Sequence, residues 1–462
     1  MFANEHEVAV PLCHRYKLGG LNIVVDPASG SIHKVDDIAY DAIGLYENGG
    51  GDGLAVHLIE KYPQLTGAEI DELAAEIVKL KNQGKLFTPD NFKIRRGIWP
   101  LKALCMNVSH LCNMTCSYCF AGKGEYGGAG LMALETGKRS IDFLIENSGN
   151  RKNLDVDFFG GEPLLNWGVV KEIVNYARGR EPESGKRFRF TLTTNGLLID
   201  EDVISFTNKQ MHNVVLSLDG RPETNDAMRK LPNGGGGSYS EVLPKLKKLA
   251  ESRGGAEYYI RATFTGENLD FVNDILHIAD LGFTQLSMEP VVTKPGAPHG
   301  LTISDLTAIC NQYERLAFEM IERKRQGKAF FFYHYNLDLT GGPCVHKRVA
   351  GCGVGTEYLA VTPSGELYPC HQFAGNEKFL MGDIYSGVFN EKLRGEFGGN
   401  DIFSRGECRR CWARYYCSGG CAANAYNASG DIGGIYELGC EMFKKRIECA
   451  IMMKAAEMKA AE

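Results

Sequence analysis

The run Cys112-Asn-Met-Thr-Cys116-Ser-Tyr-Cys119-Phe contains three cysteines in a C-x3-C-x2-C pattern. Three thiolates can ligate three irons of a cubane iron–sulfur cluster, which normally takes four cysteines. A local triplet therefore leaves one iron without a protein ligand, and a small molecule can fill that position. Two alternatives are a structural zinc site with His110 as the fourth ligand, and cysteines that pack as small apolar side chains.

The composition is that of an ordinary globular enzyme. Of the 462 residues, 44% are hydrophobic and 23% are charged, with a net charge of −6. This balance gives no basic surface for nucleic acid. No apolar run is long enough to span a bilayer, and the N-terminus has no basic segment followed by an apolar core. We therefore expect a cytoplasmic protein with neither nucleic acid nor membrane as a partner.

The fifteen cysteines are too many for chance in a chain of this kind. In a reducing compartment they favour metal binding over disulfides. Eight of them fall between Cys344 and Cys440. Cys105 lies in an apolar, strand-like run and is expected in the core, whereas no role is assigned to Cys13, Cys310 and Cys449.

Residues 15 to about 88 are expected to form a separate unit. Alternating apolar residues predict strands in 16–25 and 31–35. Helical periodicity follows over 37–46, and again from Thr66, where Thr66-Gly-Ala-Glu69 predicts a capping box. Strands followed by helices in so short a unit resemble a winged-helix module. The alternative is an N-terminal cap on the next domain.

Between residues 103 and 291, short apolar runs alternate with amphipathic helices. Strands are predicted at 103–108, 155–159, 188–194, 214–218, 259–265 and 285–290, and helices at 134–147, 166–178, 240–252 and 268–281. Such alternation predicts parallel strands with right-handed crossovers, here a barrel of six repeats instead of eight.

Polar or glycine-rich motifs follow the first four predicted strands. They are the cysteine run, Gly160-Gly161-Glu162-Pro163, Thr193-Thr-Asn195-Gly196 and Ser217-Leu-Asp219-Gly220. Active sites of barrels form at the carboxyl ends of the strands, so these motifs are expected to converge on one rim. Gly160 and Gly161 would let the backbone approach a ligand closely.

The cysteine spacing, Tyr118 and the rim motifs together resemble the radical SAM superfamily. That resemblance implies a partial (β/α)6 barrel and a 4Fe-4S cluster on Cys112, Cys116 and Cys119. S-adenosylmethionine would chelate the open iron and be cleaved to a 5′-deoxyadenosyl radical. The resemblance also assigns two cofactor contacts, Glu162 to the methionyl ammonium and the Tyr118 backbone to adenine. From their position at the rim, Asn195, Ser217 and Asp219 are expected to hold the methionyl carboxylate or the ribose, and Arg229 the carboxylate.

The C-terminal cysteines resemble the SPASM extension of this superfamily, which carries two auxiliary 4Fe-4S clusters. The pattern is Cys352-x12-Gly365-x4-Cys370, Cys408-x2-Cys411-x5-Cys417-x3-Cys421 and Cys440. The family arrangement implies a distal cluster on Cys408, Cys411, Cys417 and Cys440. It also implies a proximal cluster on Cys352, Cys370 and Cys421, with Cys344 as a fourth ligand or with that site left open. The alternative is a pair of zinc ribbons.

The whole chain resembles the clostridial maturases of six-cysteine SCIFF peptides, which join cysteine sulfur to carbon in thioether crosslinks. The residues that carry this resemblance include Phe158-Phe-Gly-Gly-Glu-Pro and Cys370-His-Gln-Phe. It implies a leader-recognition module over 1–90, a barrel over 100–300, a helical bridge over 301–343 and a SPASM domain over 344–450. The implied partners are a Cys-rich precursor peptide with a leader and an electron donor such as flavodoxin or ferredoxin.

Two other functions compete with a radical SAM oxidoreductase that makes thioethers. A sulfatase-maturing enzyme that forms formylglycine would share the barrel and the SPASM region, although the extra N-terminal unit favours a leader-bearing substrate. A zinc-stapled binding protein without catalysis is the alternative of a different class.

Overall fold

The computed structural model describes residues 12–49, 53–92, 97, 99–339, 349–388 and 390–457. Cys344 and the Gly-Gly-Pro that precedes it lie outside these residues. The described strands form two sheets, one of three strands and one of eleven.

The N-terminal unit contains a three-stranded antiparallel sheet and three helices. The elements are β1 (His14–Leu18), β2 (Leu21–Val25), β3 (Ile32–Val35), α1 (Asp37–Gly49), α2 (Leu54–Lys61) and α3 (Gly67–Asn82). The predicted capping box is confirmed, because Thr66 Oγ1 accepts from the Glu69 N–H and the Glu69 carboxylate accepts from the Thr66 N–H. Helix α2 was not predicted from the sequence.

This unit is attached to the rest of the chain by buried contacts. Tyr16 and Val25 belong to the main hydrophobic core, and the Tyr16 hydroxyl donates to the Glu448 carbonyl at 3.0 Å. The His14 ring stacks on Trp412 with 3.7 Å between ring centroids. Strand β1 therefore faces the C-terminal part of the chain, and β3 is the opposite edge of the small sheet.

All six predicted barrel strands are confirmed. They lie parallel and adjacent in chain order: β4 (Ala103–Ser109), β5 (Asn153–Gly160), β6 (Arg187–Thr194), β7 (Asn213–Ser217), β8 (Glu257–Phe264) and β9 (Gln285–Pro290). The helices between them are α4 (Leu134–Asn147), α5 (Trp167–Ser184), α6 (Glu201–Gln210), α7 (Pro222–Met228), α8 (Tyr239–Ser252) and α9 (Val272–Asp280). The α/β barrel-like fold predicted from the sequence is confirmed.

Strand burial explains how this sheet separates a core from a cavity. In β5, Leu154, Val156 and Phe158 have no exposed surface, whereas Phe159 on the other face lines an internal cavity. Strand β4 is buried along its whole length, and Cys105 within it is a core residue as predicted.

The sheet extends beyond the six repeats on both sides, which the sequence did not predict. Helix α10 (Leu306–Arg325) leads to β10 (Phe331–Phe332), which pairs parallel to β9. On the other side, β11 (Tyr358–Val361) pairs parallel to β4, followed by β12 (Glu366–Tyr368), β13 (Gly382–Asp383) and β14 (Gly387–Val388). The C-terminal cysteine region thus shares one sheet with the barrel.

Helices make up most of the chain after β14. They span Glu391–Gly399, Gly406–Arg410, Arg414–Cys417, Ala422–Ser429 and Glu437–Glu457. The last of these packs along α10. None of the helices in the described ranges has both the length and the apolar character needed to cross a bilayer.

Candidate active site

A cavity of about 790 Å³ opens at the carboxyl ends of the barrel strands. Its wall includes the cysteine triplet at one side and Cys352, Cys417, Cys421 and Cys440 at the other. The motifs after β4, β5, β6 and β7 all contribute to the wall, so the predicted convergence on one rim is observed.

Cys112, Cys116 and Cys119 are free, half-buried thiols on a loop that follows β4. Backbone hydrogen bonds fix this loop to the segment after α7: the Thr115 N–H donates to the Lys230 carbonyl at 2.9 Å, and the Ser117 N–H to the Met228 carbonyl at 2.8 Å. Burial raises the pKa of Cys112 to about 11. Three thiols on one wall of a roomy cavity fit a cluster with one open iron, and binding such a cluster requires loss of their protons.

His110 does not complete a zinc site. Its Nδ1 lies 3.1 Å from the Gly128 carbonyl, and its Nε2 lies 3.3 Å from Asn107 Nδ2. The ring stacks on Tyr126, with 4.8 Å between the ring centroids. Since both ring nitrogens are used away from the thiols, the alternative with His110 as the fourth zinc ligand is wrong.

Gly160 and Gly161 make a close backbone contact that the sequence did not predict. A Cβ on Gly160 would lie 2.1 Å from the Ser109 carbonyl oxygen, and Gly160 also has a φ of +133°. A Cβ on Gly161 would lie 2.2 Å from the Leu111 carbonyl oxygen. The glycines therefore let the start of the cysteine loop pack against the end of β5, in addition to lining the cavity.

Glu162 is a buried carboxylate beside the cysteine loop, with 1% of its surface exposed. Its Oε1 accepts from Thr194 Oγ1 at 2.8 Å and its Oε2 from the Asn195 N–H at 2.8 Å. Burial raises its pKa to about 7, although these donors and the Leu164 N–H oppose the rise. Asn195 in turn donates to Asn113 Oδ1 at 2.8 Å, within the cysteine loop.

Asp219 lies behind the cavity wall rather than at its surface. It is 1% exposed, and its Oδ2 accepts from the Tyr118 hydroxyl at 2.6 Å. Its Oδ1 accepts from the Thr263 N–H at 3.0 Å. Arg229, which the sequence gave no reason to bury, is 6% exposed, donates to the Tyr118 hydroxyl at 3.2 Å and still reaches the cavity. Ser217 also lines the cavity.

The described C-terminal cysteines raise one another's pKa values. Burial, then Cys440, Cys411 and Cys408, raise the pKa of Cys417 to about 12. Burial, followed by Cys421, raises the pKa of Cys370, and Cys352 adds to this rise. These contributions relate Cys417 to Cys408, Cys411 and Cys440, and Cys370 to Cys352 and Cys421, and the assignment of the thiols to two clusters stays a prediction.

The cavity is also lined by five residues that the sequence gave no reason to select. They are Arg261 on β8, Glu289 on β9, His334, His371 and Arg446 on the last helix. His371 has a buried Nδ1 without a hydrogen-bond partner and packs against Phe159, with 4.7 Å between the ring centroids. Glu289 stands at the carboxyl end of its strand, so the rule that selected the first four rim motifs could have found it.

Residues 106–279 match the family described as the Radical SAM superfamily. A cysteine-type anaerobic sulfatase-maturating enzyme of Clostridium novyi (strain NT) is 24% identical over 371 residues, which cover 75% of this chain and 94% of the relative.

Two solved structures share the fold. Native anSMEcpe with bound AdoMet and Kp18Cys peptide has a TM-score of 0.64 at 21% identity, covering 77% of this chain and 99% of that chain. Streptococcus suis SuiB bound to precursor peptide SuiA has a TM-score of 0.52 at 15% identity, covering 90% of this chain and 95% of that chain. At these identities the likeness concerns the fold alone.

Proposed function

We propose that this chain is a radical SAM enzyme that installs sulfur-to-carbon thioether crosslinks in a ribosomally made, Cys-rich precursor peptide. The match of residues 106–279 to the Radical SAM superfamily supports this proposal. An enzymatic function excludes the alternative of a zinc-stapled binding protein without catalysis. The observation that carries the proposal is the single cavity that joins the cysteine triplet to Cys352, Cys421 and Cys440.

The thiol groups support three cofactor sites. Cys112, Cys116 and Cys119 would hold the first cluster, with S-adenosylmethionine at its open iron. Cys352, Cys370 and Cys421 would hold the proximal auxiliary cluster, with Cys344 as a possible fourth ligand that lies outside the described residues. The distal auxiliary cluster would be held by Cys408, Cys411, Cys417 and Cys440. When bound, these groups supply a 5′-deoxyadenosyl radical that abstracts hydrogen and a nearby acceptor for the electron released as the carbon–sulfur bond forms.

The chain's own groups would orient S-adenosylmethionine in the cavity. The Glu162 carboxylate, held by Thr194 and the Asn195 backbone, is available to the methionyl ammonium. Ser217 and Arg229 reach the same cavity and can receive the methionyl carboxylate. Asp219 would act indirectly, because its carboxylate accepts from the Tyr118 hydroxyl and so holds Tyr118 within the cysteine loop.

The small N-terminal sheet is the proposed site for the leader. Among the described strands, β3 pairs only with β2, and it is the sheet edge opposite the C-terminal contacts of β1. An extended leader segment can add to such an edge through main-chain hydrogen bonds. The relative SuiB, which has the same fold, was solved with its precursor peptide SuiA.

The test is a reaction of the anaerobically reconstituted enzyme with a short Cys-rich peptide encoded next to its gene. Loss of two hydrogens for each crosslink, located by tandem mass spectrometry on a cysteine and a partner residue, supports the proposal. A formylglycine product instead would support the alternative function, a sulfatase-maturing enzyme, as the Clostridium novyi relative is named. We further propose a cytoplasmic location and a flavodoxin or ferredoxin as the electron donor.

A further inference from the structure

A cluster of four ionisable side chains lies in the cavity away from the cysteine triplet. We define the β8–β9 cluster as Arg261, Glu289, His334 and Arg446, all of which line the cavity. Strands β8 and β9 pair in a register that puts Thr263 beside Glu289 and Arg261 beside Ser287. Arg261 and Glu289 therefore project from the same, inner face of the sheet. Arg446 enters from the last helix, which also carries Cys440.

The two arginines have spare donors. Arg446 is 6% exposed, and its Nε is buried with no hydrogen-bond partner in the described part of the chain. Its nearest carboxylate oxygen, on Glu289, is 3.5 Å from Nη1, which is a loose contact. The Arg261 side chain is exposed at the cavity wall and has no hydrogen bond or ion pair with any described residue. Buried guanidinium donors are normally satisfied, so Arg446 suits a ligand, and Arg261 can donate to the same ligand from the cavity wall.

The charges in the cluster do not balance. Burial lowers the pKa of His334 to about 4, so its ring is neutral at pH 7. Burial alone would raise the pKa of Glu289, but His334, Arg446 and Arg261 together hold it below the usual value. Two guanidiniums therefore face one carboxylate, and one positive charge remains. A carboxylate with a lowered pKa is also a poor proton acceptor, which argues against a role as a general base.

The position of the cluster points to the peptide rather than to S-adenosylmethionine. Glu289, Arg446 and Cys421 line the same cavity, and Arg446 lies on the helix that carries Cys440. The methionyl carboxylate, in contrast, must reach the iron held by the triplet. In the sheet, β8 and β9 are separated from β4 by β5, β6 and β7.

We propose that the β8–β9 cluster is a subsite for a carboxylate side chain of the substrate peptide, an Asp or Glu close in sequence to a crosslinked cysteine. This inference rests on the proposed function and names the kind of substrate residue that the site selects. Arg446 and Arg261 would donate to the carboxylate. Glu289 would hold the Arg446 guanidinium in place, and His334 lies against the other oxygen of Glu289.

The test compares two fluorescein-labelled hexapeptides, Gly-Cys-Gly-Glu-Gly-Gly and its Gln analogue, both N-acylated and C-amidated. Binding to the anaerobic holoenzyme is followed by fluorescence anisotropy. A charge-assisted pair in a desolvated site predicts about tenfold tighter binding of the Glu peptide. The variants Arg446→Gln and Arg261→Gln should each reduce this preference to about twofold or less. Arg189→Gln, which breaks an exposed ion pair with Asp155, is the control and should retain the preference.

Several outcomes would overturn the proposal. They are equal affinity for the two peptides, no binding of either at about 1 mM, and an unchanged preference in both variants. Loss of S-adenosylmethionine affinity in equilibrium dialysis with the peptide preference retained would assign the arginines to the cofactor. Loss of iron with the preference retained would assign them to the charge of a cluster. Arg261→Gln keeps the test open if Arg446→Gln fails to fold, because the exposed Arg261 side chain has no hydrogen bond to a described residue.

Peptide binding needs no turnover, so the two proposals fail separately. A retained Glu preference without any crosslinked product would remove the proposed thioether chemistry and leave the carboxylate subsite. Crosslinking without a Glu preference would do the reverse.

Discussion

The Tyr118 hydroxyl lies 2.6 Å from Oδ2 of Asp219, and this hydrogen bond ties the cysteine loop after β4 to the loop after β7. Arg229 donates to the same hydroxyl at 3.2 Å. Tyr118 lies between Cys116 and Cys119 in the sequence. Its hydrogen bond with Asp219 therefore helps to fix the position of the cysteine loop. The side chain of Tyr118 therefore has a structural role that is separate from any backbone contact with a cofactor.

Tyr118→Phe should destabilise the protein by about 1–3 kcal/mol, because it removes a donor from a carboxylate that is cut off from water. The free energy of unfolding can be measured by urea denaturation under anaerobic conditions. Tyr385→Phe is the control, since Tyr385 is 60% exposed and should change stability by less than about 0.5 kcal/mol. Equal losses in both variants would show that the contact with Asp219 contributes nothing.

Three cubane clusters predict about twelve irons per chain in anaerobically purified protein. Replacing Cys112, Cys116 and Cys119 together by Ala should remove about one third of the iron and all cleavage of S-adenosylmethionine. Cys310→Ala is the matched control, because Cys310 is a half-buried cysteine on α10 that does not line the cavity. Stoichiometric zinc with little iron would contradict the cluster assignment.

The affinity for S-adenosylmethionine should depend on pH through Glu162. Burial raises the pKa of this carboxyl to about 7, so it is mostly protonated below that pH and ionised above it. Only the ionised form attracts the methionyl ammonium, and the affinity should fall about tenfold for each pH unit below 7. Equilibrium dialysis between pH 5.5 and 8 tests this. Glu162→Gln should flatten the acid limb, and an unaltered limb in that variant would assign the pH dependence to another group.

Proline substitutions in β3 test the leader site better than deletion of the N-terminal unit, which would expose Tyr16, Val25 and the core around them. Since N–H groups alternate in direction along a strand, one of His33→Pro and Lys34→Pro removes a donor on the open edge. That variant should lose leader binding in a fluorescence assay and keep cleavage of S-adenosylmethionine. Lys17→Pro, on the opposite edge strand, is the control. Leader affinity equal to wild type in both β3 variants would make the unit a structural cap.

The parts of the fold that repeat a local pattern could be predicted from the sequence. Strands β4 to β9 were found because each combines an apolar run with a following amphipathic helix. Strand β10 was missed because it has two residues, and β11 because it joins β4 from a distant part of the chain. Helix α2 was missed because it follows a glycine-rich run of sequence and has only eight residues.

The site divides in the same way. The cysteines and Glu162 lie in compact motifs, and the structure brings them to one cavity. Arg261, Glu289 and Arg446 lie on three different elements, so no local sequence motif contains them together. The close approach of Gly160 to the Ser109 carbonyl could not be predicted, because only the folded strands create that contact.

The parallel pairing of β11 with β4 has a consequence during translation. The first barrel strand is made early, but one of its two edges has no partner until the region after residue 358 has left the ribosome. Until then an apolar strand presents free N–H and C=O groups, which is a common starting point for aggregation. Chaperone protection of the nascent barrel, and insertion of the iron–sulfur clusters only after the chain is complete, are the expected requirements for producing this protein in active form.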